Sequence, residues 1–379
     1  MPGVVAGVGF FVILVVVILL HEAGHLLAAK RFDIKVEEYF VGFGPRLWSR
    51  RRGETEYGVK ALILGGYVKI AGMNPMEEPK EEDLPRTFGA KPIWQRALVI
   101  VAGPATHFIL AFVVLVLWLM LAGQPTRFAA AIGEVEPKLN GTVSPAAAAG
   151  LKAGDVVLSV DGQPVDSDTF VQYTRAHLGQ SMSIVVLRDG QQLTFDVTPV
   201  ESVVNGKNQP RIGVLMSPGR VLERDRSGFF GSFADAGNYL WSLTGEVVHR
   251  IGEVFGPEGI ARIFRLVFGD AQRSVEDPLS VVGAGRVAGQ AASAGAFDGL
   301  VALFVSLNVF IGLLNLVPLL PLDGGHLAVL AVEKLRRGRP VDMRKLIPVS
   351  AVVVGFLVAF MLAVVYLDFA KPVPNVFQP

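Results

Sequence analysis

The strongest constraint on this chain is a short polar motif at the end of an apolar segment. The motif HEAGH, residues 21–25, follows seventeen consecutive apolar or glycine residues, 4–20. On a helix, His21 and His25 lie one turn apart on the same face, so both imidazoles can bind one metal ion with Glu22 beside them. Each ionisable residue near a bilayer centre costs roughly 2.5–3.5 kcal/mol on insertion scales. Three of them within five positions therefore indicate a metal site enclosed in a helical bundle.

Composition narrows the class of protein and the kind of metal site. The chain of 379 residues is 51% hydrophobic and 18% charged, with a mean hydropathy of +0.47, which is too apolar for an ordinary soluble protein. A net charge of +1 gives no reason to expect a nucleic-acid partner. The absence of cysteine excludes thiolate zinc sites and cysteine nucleophiles, so any metal must be held by histidine and carboxylate groups.

Four segments are long and apolar enough to be transmembrane helices. They are predicted within residues 1–30, 97–122, 298–330 and 347–379, the last range including the C-terminal tail. Thirteen Lys and Arg residues lie in the loop from Lys30 to Arg96, and six more lie between Lys334 and Lys345. The positive-inside rule therefore predicts that the loops 31–96 and 331–346 are cytoplasmic and that both termini are outside. The basic run at 50–52 also suggests contact with lipid headgroups.

The long outer segment is predicted to contain two parts. Residues 123–217 include GTVSPAAAAGLKAGDVVLSVDGQPV, which resembles the PDZ domains of bacterial proteases; another small α/β domain is the alternative. Residues 218–297 contain apolar positions with helical period between Phe233 and Phe255, which predicts an amphipathic helix on the membrane surface or over the domain. The predicted fold class is a polytopic α-helical membrane protein of about four transmembrane helices. It carries a membrane-associated β-hairpin or sheet and an extracytoplasmic PDZ-like α/β domain.

The first cytoplasmic loop has a strand pattern of its own. From Glu56 to Ile70, apolar residues alternate around Gly65 and Gly66, which predicts a hairpin with its turn at the two glycines. An unpaired edge of this hairpin can bind an extended peptide by strand addition. We therefore expect Gly65, Gly66 and Tyr67 to contact substrate.

A third metal ligand must come from another part of the chain, because a catalytic zinc ion has three protein ligands. His21 lies about seventeen residues below the outer end of its span, roughly 25 Å at 1.5 Å per residue, and Asp323 can reach a similar depth. By the same count His107 lies roughly 16 Å above the cytoplasmic boundary, one or two turns too far outward. His326, one turn beyond Asp323, stays open on periodicity alone. The rarity of carboxylates within the spans favours Asp323.

Two motifs together carry a resemblance to a known family. HEAGH and the segment NLVPLLPLDGGH, residues 315–326, resemble the site-2 protease family of intramembrane zinc metalloproteases. Supporting matches are GFGP at 42–45, GGYVK at 65–69 and AGP at 102–104. The resemblance implies Zn²⁺ as the cofactor and Asp323 as its third ligand. One PDZ-like insert and four spans are similar to the bacterial branch that cleaves anti-sigma factors, which implies a location in the bacterial cytoplasmic membrane.

The chain also departs from the pattern of that family. Many members have Asn three residues after the AGP motif, where this chain has His107. Some relatives carry two PDZ domains, and this chain has room for one. The role of position 107 and any two-domain screening of substrates therefore do not transfer from the resemblance.

The expected function is hydrolysis of peptide bonds in or near the transmembrane segment of single-span membrane proteins, by regulated intramembrane proteolysis. Glu22 is expected to take a proton from the attacking water and return it to the leaving amine. Asn315 is the candidate donor to the oxyanion and Asn308 the second, with interhelical hydrogen bonding as the alternative for both. A catalytically inactive scaffold that binds exported peptides is the competing function. A zinc transporter or sensor is disfavoured, since it has no use for Glu22.

Overall fold

Helices dominate both ends of the chain, and strands dominate its middle. The computed structural model describes residues 2–74, 76, 80–204, 207–274 and 277–373. The α-helices of these residues are α1 (Pro2–Arg31), α2 (Ile93–Ala122), α3 (Pro145–Ala149), α4 (Ser167–Ala176), α5 (Gly228–Phe255), α6 (Pro257–Phe268), α7 (Val281–Ser293), α8 (Phe297–Asn315), α9 (Asp323–Leu335) and α10 (Ile347–Ala370). Short 3₁₀ helices lie at Glu81–Arg86, Phe88–Ala90 and Met343–Leu346.

The strands belong to two main sheets and two small hairpins. They are β1 (Val36–Arg52), β2 (Thr55–Ile70), β3 (Gln124–Val135), β4 (Lys138–Leu139), β5 (Thr142–Val143), β6 (Val156–Val160), β7 (Gln163–Pro164), β8 (Met182–Arg188), β9 (Gln191–Val197), β10 (Val200–Val204), β11 (Lys207–Arg211) and β12 (Val214–Asp225). The first two strands form one sheet between α1 and α2, and most of the others form a second sheet between α2 and α5.

Four helical segments are long and apolar enough to cross a membrane. They are Gly7–Arg31, Ile93–Ala122, Phe297–Asn315 and Met343–Ala370. The predicted third segment, 298–330, is interrupted, because α8 ends at Asn315 and α9 begins at Asp323. Pro318 and Pro321 lie between the two helices, where proline removes a backbone donor and clashes with the preceding turn. The interruption of the segment therefore falls at these prolines.

Helix α2 lies at the centre of the helical part of the molecule and contacts α1, α5, α8 and α9. A Cβ atom on Gly24 of α1 would lie 2.4 Å from the carbonyl oxygen of Ala102, so this glycine allows α1 and α2 to approach closely. The amphipathic helix predicted from Phe233 is α5. It packs on α2 and α8 through Ala236 and Val247, which differs from the predicted position over the PDZ-like domain. A position on the membrane surface stays a prediction.

The sequence between α5 and α8 gave no clear pattern, and it folds into two more helices. Helix α7, rich in Gly and Ala, packs against α1, and α6 contacts α10. Asp368, near the end of α10, is fully buried and accepts hydrogen bonds from the backbone of Ser280 (2.9 Å) and Gly283 (3.0 Å). It also pairs with buried Arg273 at 2.7 Å. This cluster attaches α10 to the start of α7.

The sheet after α1 is a hairpin whose two strands are each bent. Phe40 lies opposite Tyr67 on one side and opposite Gly58 on the other, while Arg50 lies opposite Tyr57. The order across the sheet is therefore 66–70, 36–41, 55–60 and 46–52. Strand β1 bends at Gly42, whose φ of +82° suits glycine, and a Cβ atom there would lie 2.7 Å from the Leu62 carbonyl oxygen.

The predicted hairpin turn at Gly65 and Gly66 is wrong. Both glycines lie inside β2, and the connection between the strands is at residues 53–54, where Gly53 has a φ of +62°. The two glycines allow close approach instead of a turn. A Cβ atom on Gly66 would lie 3.1 Å from the carbonyl oxygen of Phe40 and 3.5 Å from Cγ of Glu22.

The second sheet forms a domain with its own core. Its strand order is β12-β3-β6-β8-β9, with β7 beside β6, and all pairs are antiparallel. The core is built from the apolar faces of the strands and of α3 and α4, including fully buried Ile132, Ile184 and Phe170. The predicted Ala-rich helix is α3. The boundary predicted at residue 217 is wrong, because it falls inside β12, which stays paired with β3 as far as Asp225.

Polar contacts join this domain to the helices. Arg224 at the end of β12 donates to Asp298 of α8 at 3.1 Å and to the carbonyl oxygen of Gly123 at 3.1 Å. Trp118 of α2 donates to the same carboxylate at 2.8 Å. The domain is therefore attached at the ends of α2 and α8.

Candidate metal centre

Two helices bring three potential metal ligands together. His21 and His25 project from one face of α1, and Asp323 is the first residue of α9. The two Nε2 atoms are 3.2 Å apart, and Oδ2 of Asp323 lies 3.3 Å from Nε2 of His21 and 3.4 Å from Nε2 of His25. Among the described residues, these form the group of His and carboxylate side chains whose ligand atoms all lie within 4.8 Å of one another.

The geometry of this triangle fits a tetrahedral zinc ion. Ligands about 2.0–2.1 Å from a tetrahedral ion are roughly 3.3 Å from one another, which matches the three separations. Nδ1 of His25 is 2.8 Å from the carbonyl oxygen of Val99, so this nitrogen carries the proton and Nε2 presents a lone pair. Two imidazole nitrogens and a carboxylate that converge in a buried place form a donor set suited to a cation.

Glycines around the triangle make room for the ligands. A Cβ atom on Gly103 of α2 would lie 2.2 Å from Nε2 of His25. On Gly324 it would lie 2.2 Å from the carbonyl oxygen of Leu316, and on Gly325 it would lie 2.4 Å from a backbone nitrogen. The AGP and LDGG motifs thus allow the close packing that brings Asp323 to the histidines.

A cavity of about 260 Å³ opens beside the three ligands. Its lining comes from α1, α2, α8, α9 and the end of β2: His21, Glu22, His25, Val68, Ile70, Met73, Val99, Ile100, Asn315, Pro321, Leu322, Asp323 and His326. Glu22 and Asn315, the predicted base and oxyanion donor, therefore share one cavity with the predicted ligands. His326, the rival to Asp323, also lines it but lies outside the group of three.

The edge of β2 borders this cavity. The backbone of Val68 interacts with the Glu22 carboxylate, and the side chains of Val68 and Ile70 line the cavity. Gly66, two residues earlier, shares their face of the strand, whereas Gly65 and Tyr67 face the other way. The strand predicted to contact substrate therefore borders the cavity, and the residues of it that line the cavity, Val68 and Ile70, were not predicted. Period-2 alternation from Gly66 would have identified them.

One tyrosine fastens the sheet to α1 beside the cavity. The Tyr39 hydroxyl of β1 donates to the carbonyl oxygen of Leu19 at 2.6 Å. Burial raises the pKa of Tyr39 to about 12, and the negative charge of Glu22 adds to the rise. The phenol therefore keeps its proton at neutral pH and stays a donor to the helix backbone.

Two further residues lie away from the cavity. Asn308 of α8 is 0% exposed, and its amide is hydrogen-bonded to Phe304 and to His107, which favours the interhelical alternative over contact with substrate. His107 lies beside the ligands, with its ring centre 5.0 Å from that of His21, but it is not one of the three grouped ligands. Counting residues at 1.5 Å each takes no account of helix tilt and crossing, which bring α2 beside the motif.

The comparisons with known proteins identify the family of this chain. The model of peptidase family M50 matches residues 9–362. The chain belongs to this family. Peptidase family M50 comprises the site-2 proteases, so the resemblance drawn from the two motifs is confirmed, and the chain is a zinc metalloprotease.

Individual M50 relatives are similar over nearly their full length. The chain is 35% identical over 411 residues to zinc metalloprotease Rip1 of Mycobacterium tuberculosis, covering 99% of each chain. It is 31% identical to metalloprotease MmpA of Caulobacter vibrioides, covering 87% of this chain and 88% of the relative. It is 29% identical to zinc metalloprotease RasP of Geobacillus kaustophilus, covering 96% of this chain and 97% of the relative.

Among solved structures, the PDZ domain of an SdrC-like protein from Listeria monocytogenes is similar to 24% of this chain. The match covers 90% of that structure at 22% identity, with a TM-score of 0.20. The four apolar helices and the M50 family together indicate a membrane protein.

Proposed function

We propose that this chain is an intramembrane zinc metalloprotease that hydrolyses peptide bonds in or near the transmembrane segment of single-span membrane proteins. The observation that carries the proposal is the triangle of His21, His25 and Asp323, with Glu22 in the same cavity, on an apolar helix able to span a membrane. A site of three ligands with an open side and a neighbouring carboxylate is the arrangement of hydrolytic zinc enzymes.

The residues divide the work of peptide hydrolysis between them. His21, His25 and Asp323 would hold the ion, which when bound polarises water and the scissile carbonyl group. Glu22 accepts a proton from the attacking water and transfers it to the amine as the peptide bond breaks. Asn315, at the end of α8, donates a hydrogen bond to the negative charge that develops on the carbonyl oxygen.

The substrate reaches Glu22 as an extended strand. A transmembrane helix hides its peptide bonds in internal hydrogen bonds, so it must unwind before hydrolysis. Residues 66–70 are one edge of the bent sheet, and no described strand pairs with their free side. Strand addition there lays the peptide backbone along Gly65, Gly66 and Tyr67 and past the Val68 backbone that faces Glu22.

The charge distribution supports one orientation of the chain in a bacterial inner membrane. Both termini and the PDZ-like domain are extracytoplasmic, and the basic loops 31–96 and 331–346 are cytoplasmic. The metal centre then lies toward the cytoplasmic side. The proposed divisions of the chain are the first transmembrane helix (1–30), the cytoplasmic β region (31–96), the second transmembrane helix (97–122), the PDZ-like domain (123–225), the outer helical region (226–297), the third transmembrane segment (298–330), the basic cytoplasmic loop (331–346) and the fourth transmembrane helix with its tail (347–379).

The PDZ-like domain selects which membrane proteins are cut. A groove of about 210 Å³ lies between α4 and the start of β12, with an apolar lining that includes Val171, Ile212 and Val214 and with Arg175 beside it. Apolar pockets beside a free sheet edge bind extended peptides. We assign to it the new carboxyl terminus left by an earlier cleavage outside the membrane; exclusion of bulky ectodomains is the alternative. The substrates are then membrane-bound regulators such as anti-sigma factors.

The test compares the wild type with Glu22→Gln in zinc content and in cleavage of a single-span model substrate. Both proteins are expected to bind one zinc ion, and the variant should cleave roughly 10²–10⁴ times more slowly because it lacks the base. Glu246→Gln on the exposed face of α5 serves as the control and should cleave at the wild-type rate. Equal cleavage by wild type and Glu22→Gln contradicts the mechanism. A wild type that binds substrate without cutting it supports the inactive scaffold.

A further inference from the structure

Two buried ring nitrogens beside the metal centre lack partners. Nδ1 of His21 and Nε2 of His107 are inaccessible to solvent, and neither has a hydrogen-bond partner among the residues that the structure describes. His107 is 1% exposed, so bulk solvent does not reach its nitrogen. Leaving a buried polar atom unpaired destabilises the folded state, because the atom loses its hydrogen bond to water and gains none in return. Two such atoms in adjacent rings call for an explanation.

The proton positions on these rings follow from the neighbouring contacts. Nδ2 of Asn308 donates to the carbonyl oxygen of Phe304 at 2.9 Å, so the amide oxygen Oδ1 is the atom that faces His107. That oxygen is 3.2 Å from Nδ1 of His107 and can only accept a hydrogen bond, so Nδ1 of His107 carries the proton. The other nitrogen of His107, Nε2, is therefore a bare acceptor.

His21 supplies the matching donor. Its Nε2 atom belongs to the ligand triangle, so a neutral ring carries its proton on Nδ1. The His21 and His107 ring centres are 5.0 Å apart with an angle of 43° between the planes. Two imidazoles joined by one N–H···N bond of about 2.9 Å have centres roughly 5 Å apart, so the observed separation of the two rings fits such a bond.

The second histidine ligand shows what is missing from the first. His25 has the carbonyl oxygen of Val99 at 2.8 Å from its Nδ1. Metal-binding histidines almost always donate their other ring N–H to such a partner, which fixes the ring orientation and raises the basicity of the ligand. Among the described residues, His21 has no backbone or carboxylate acceptor in this role, and the neighbouring ring with a bare acceptor nitrogen is that of His107.

We propose that His107 is a positioning residue that accepts a hydrogen bond from Nδ1 of His21, while Asn308 holds His107 in the accepting tautomer. The contacts lead from Asn308 on α8 through His107 on α2 to the metal ligand His21 on α1. This proposal rests on the zinc site of the proposed function. It gives a role to the position at which this chain has His where many site-2 proteases have Asn.

The test measures zinc affinity of the purified full-length protein by competition with a chromophoric chelator, with no substrate present. His107→Leu removes the acceptor and should weaken zinc binding roughly 10–100-fold. His107→Gln keeps an acceptor oxygen and should recover most of that loss. Asn308→Leu removes the oxygen that keeps the proton on Nδ1 of His107, so Nε2 is no longer held as an acceptor. This variant should also bind zinc more weakly. Because the two residues act through one hydrogen bond, the double Leu variant should bind zinc no more weakly than His107→Leu.

Trp118→Phe is the matched control. It removes another buried polar contact from α2, the hydrogen bond to Asp298, far from the ligands, and its zinc affinity should equal that of the wild type. Wild-type zinc affinity in His107→Leu overturns the proposal. If that variant does not fold, the proposal is overturned when His107→Gln and Asn308→Leu bind zinc equally well. Since no cleavage is measured, the zinc affinities of the variants can still be interpreted if the protein proves not to cleave membrane proteins.

Discussion

At the scale of single residues, glycine sets the distance between the helices that carry the metal site. The chemistry of the HEAGH and AGP motifs is carried by His21, Glu22 and His25, but their packing is set by Gly24 and Gly103. Both glycines face a neighbouring helix so closely that a Cβ atom would come within 2.4 Å of a backbone or ring atom. Their place in the motifs is therefore a steric requirement of the metal site.

Gly103→Ala should disturb the metal site directly. The added methyl would occupy a point 2.2 Å from Nε2 of His25 and 2.4 Å from Cε1 of the same ring, so the ring must move away from the other two ligands. Zinc affinity should fall at least roughly tenfold, the loss typical of a disturbed ligand orientation. Chelator competition measures it.

Gly355→Ala provides the control for this substitution. Gly355 lies in α10, and a Cβ atom there meets nothing within 4 Å. Since alanine favours a helix by about 1 kcal/mol over glycine, the variant should fold well and bind zinc like the wild type. Equal zinc affinities for both alanine variants would show that the space beside His25 is not critical.

At the scale of elements, the bent sheet brings its edge to the catalytic carboxylate. Each of its two strands contributes two segments, and residues 66–70 form one of the two outer edges. The backbone of Val68 faces Glu22, so its N–H lies on the free side of the strand and not in the ladder with β1. A proline at this position therefore removes an edge donor without removing a ladder hydrogen bond.

Val68→Pro should weaken capture of substrate while zinc binding stays unchanged. The measurement is co-purification of a single-span substrate with the chain carrying Glu22→Gln, so that binding is separated from cleavage. Loss of one strand-addition hydrogen bond of about 0.5–1.5 kcal/mol predicts capture roughly 2–10 times weaker. Val68→Ala, which shortens the side chain and keeps the N–H, should bind more substrate than the proline variant. Capture by Val68→Pro at the level of Val68→Ala would rule out strand addition at this edge.

At the scale of the whole molecule, the orientation in the membrane decides where substrate and water enter. The natural chain contains no cysteine, so single cysteines can be introduced and labelled without a background. Gln191→Cys, at the exposed start of β9, should react with a membrane-impermeant maleimide on intact cells. Arg339→Cys, exposed in the basic loop after α9, should react only after the membrane is permeabilised. Labelling of Arg339→Cys on intact cells, or protection of Gln191→Cys, would reverse the proposed orientation.

Much of the architecture could be predicted because its signals are local. Runs of apolar residues identified the helices α1, α2, α8 and α10, and two prolines marked the break before α9. The Gly-Gly pair in β2 misled the prediction of a turn, because glycine serves close approach as well as positive φ. Residues 36–41 pair with one strand segment on each side, and this pairing depends on residues distant in sequence. No local sequence pattern could therefore predict it.

The sequence by itself determined the class of protein: a membrane protein with a split metal motif and a PDZ-like insert. The apolar runs that favour lipid over water and the helical spacing of the two histidines both involve residues close together in sequence. Both signals can therefore be recognised in the sequence alone. Only the tertiary structure placed His107 beside His21, joined it to Asn308, and set Val68 against Glu22. These contacts depend on how helices tilt, cross and pack, and side chains far apart in sequence decide that geometry together.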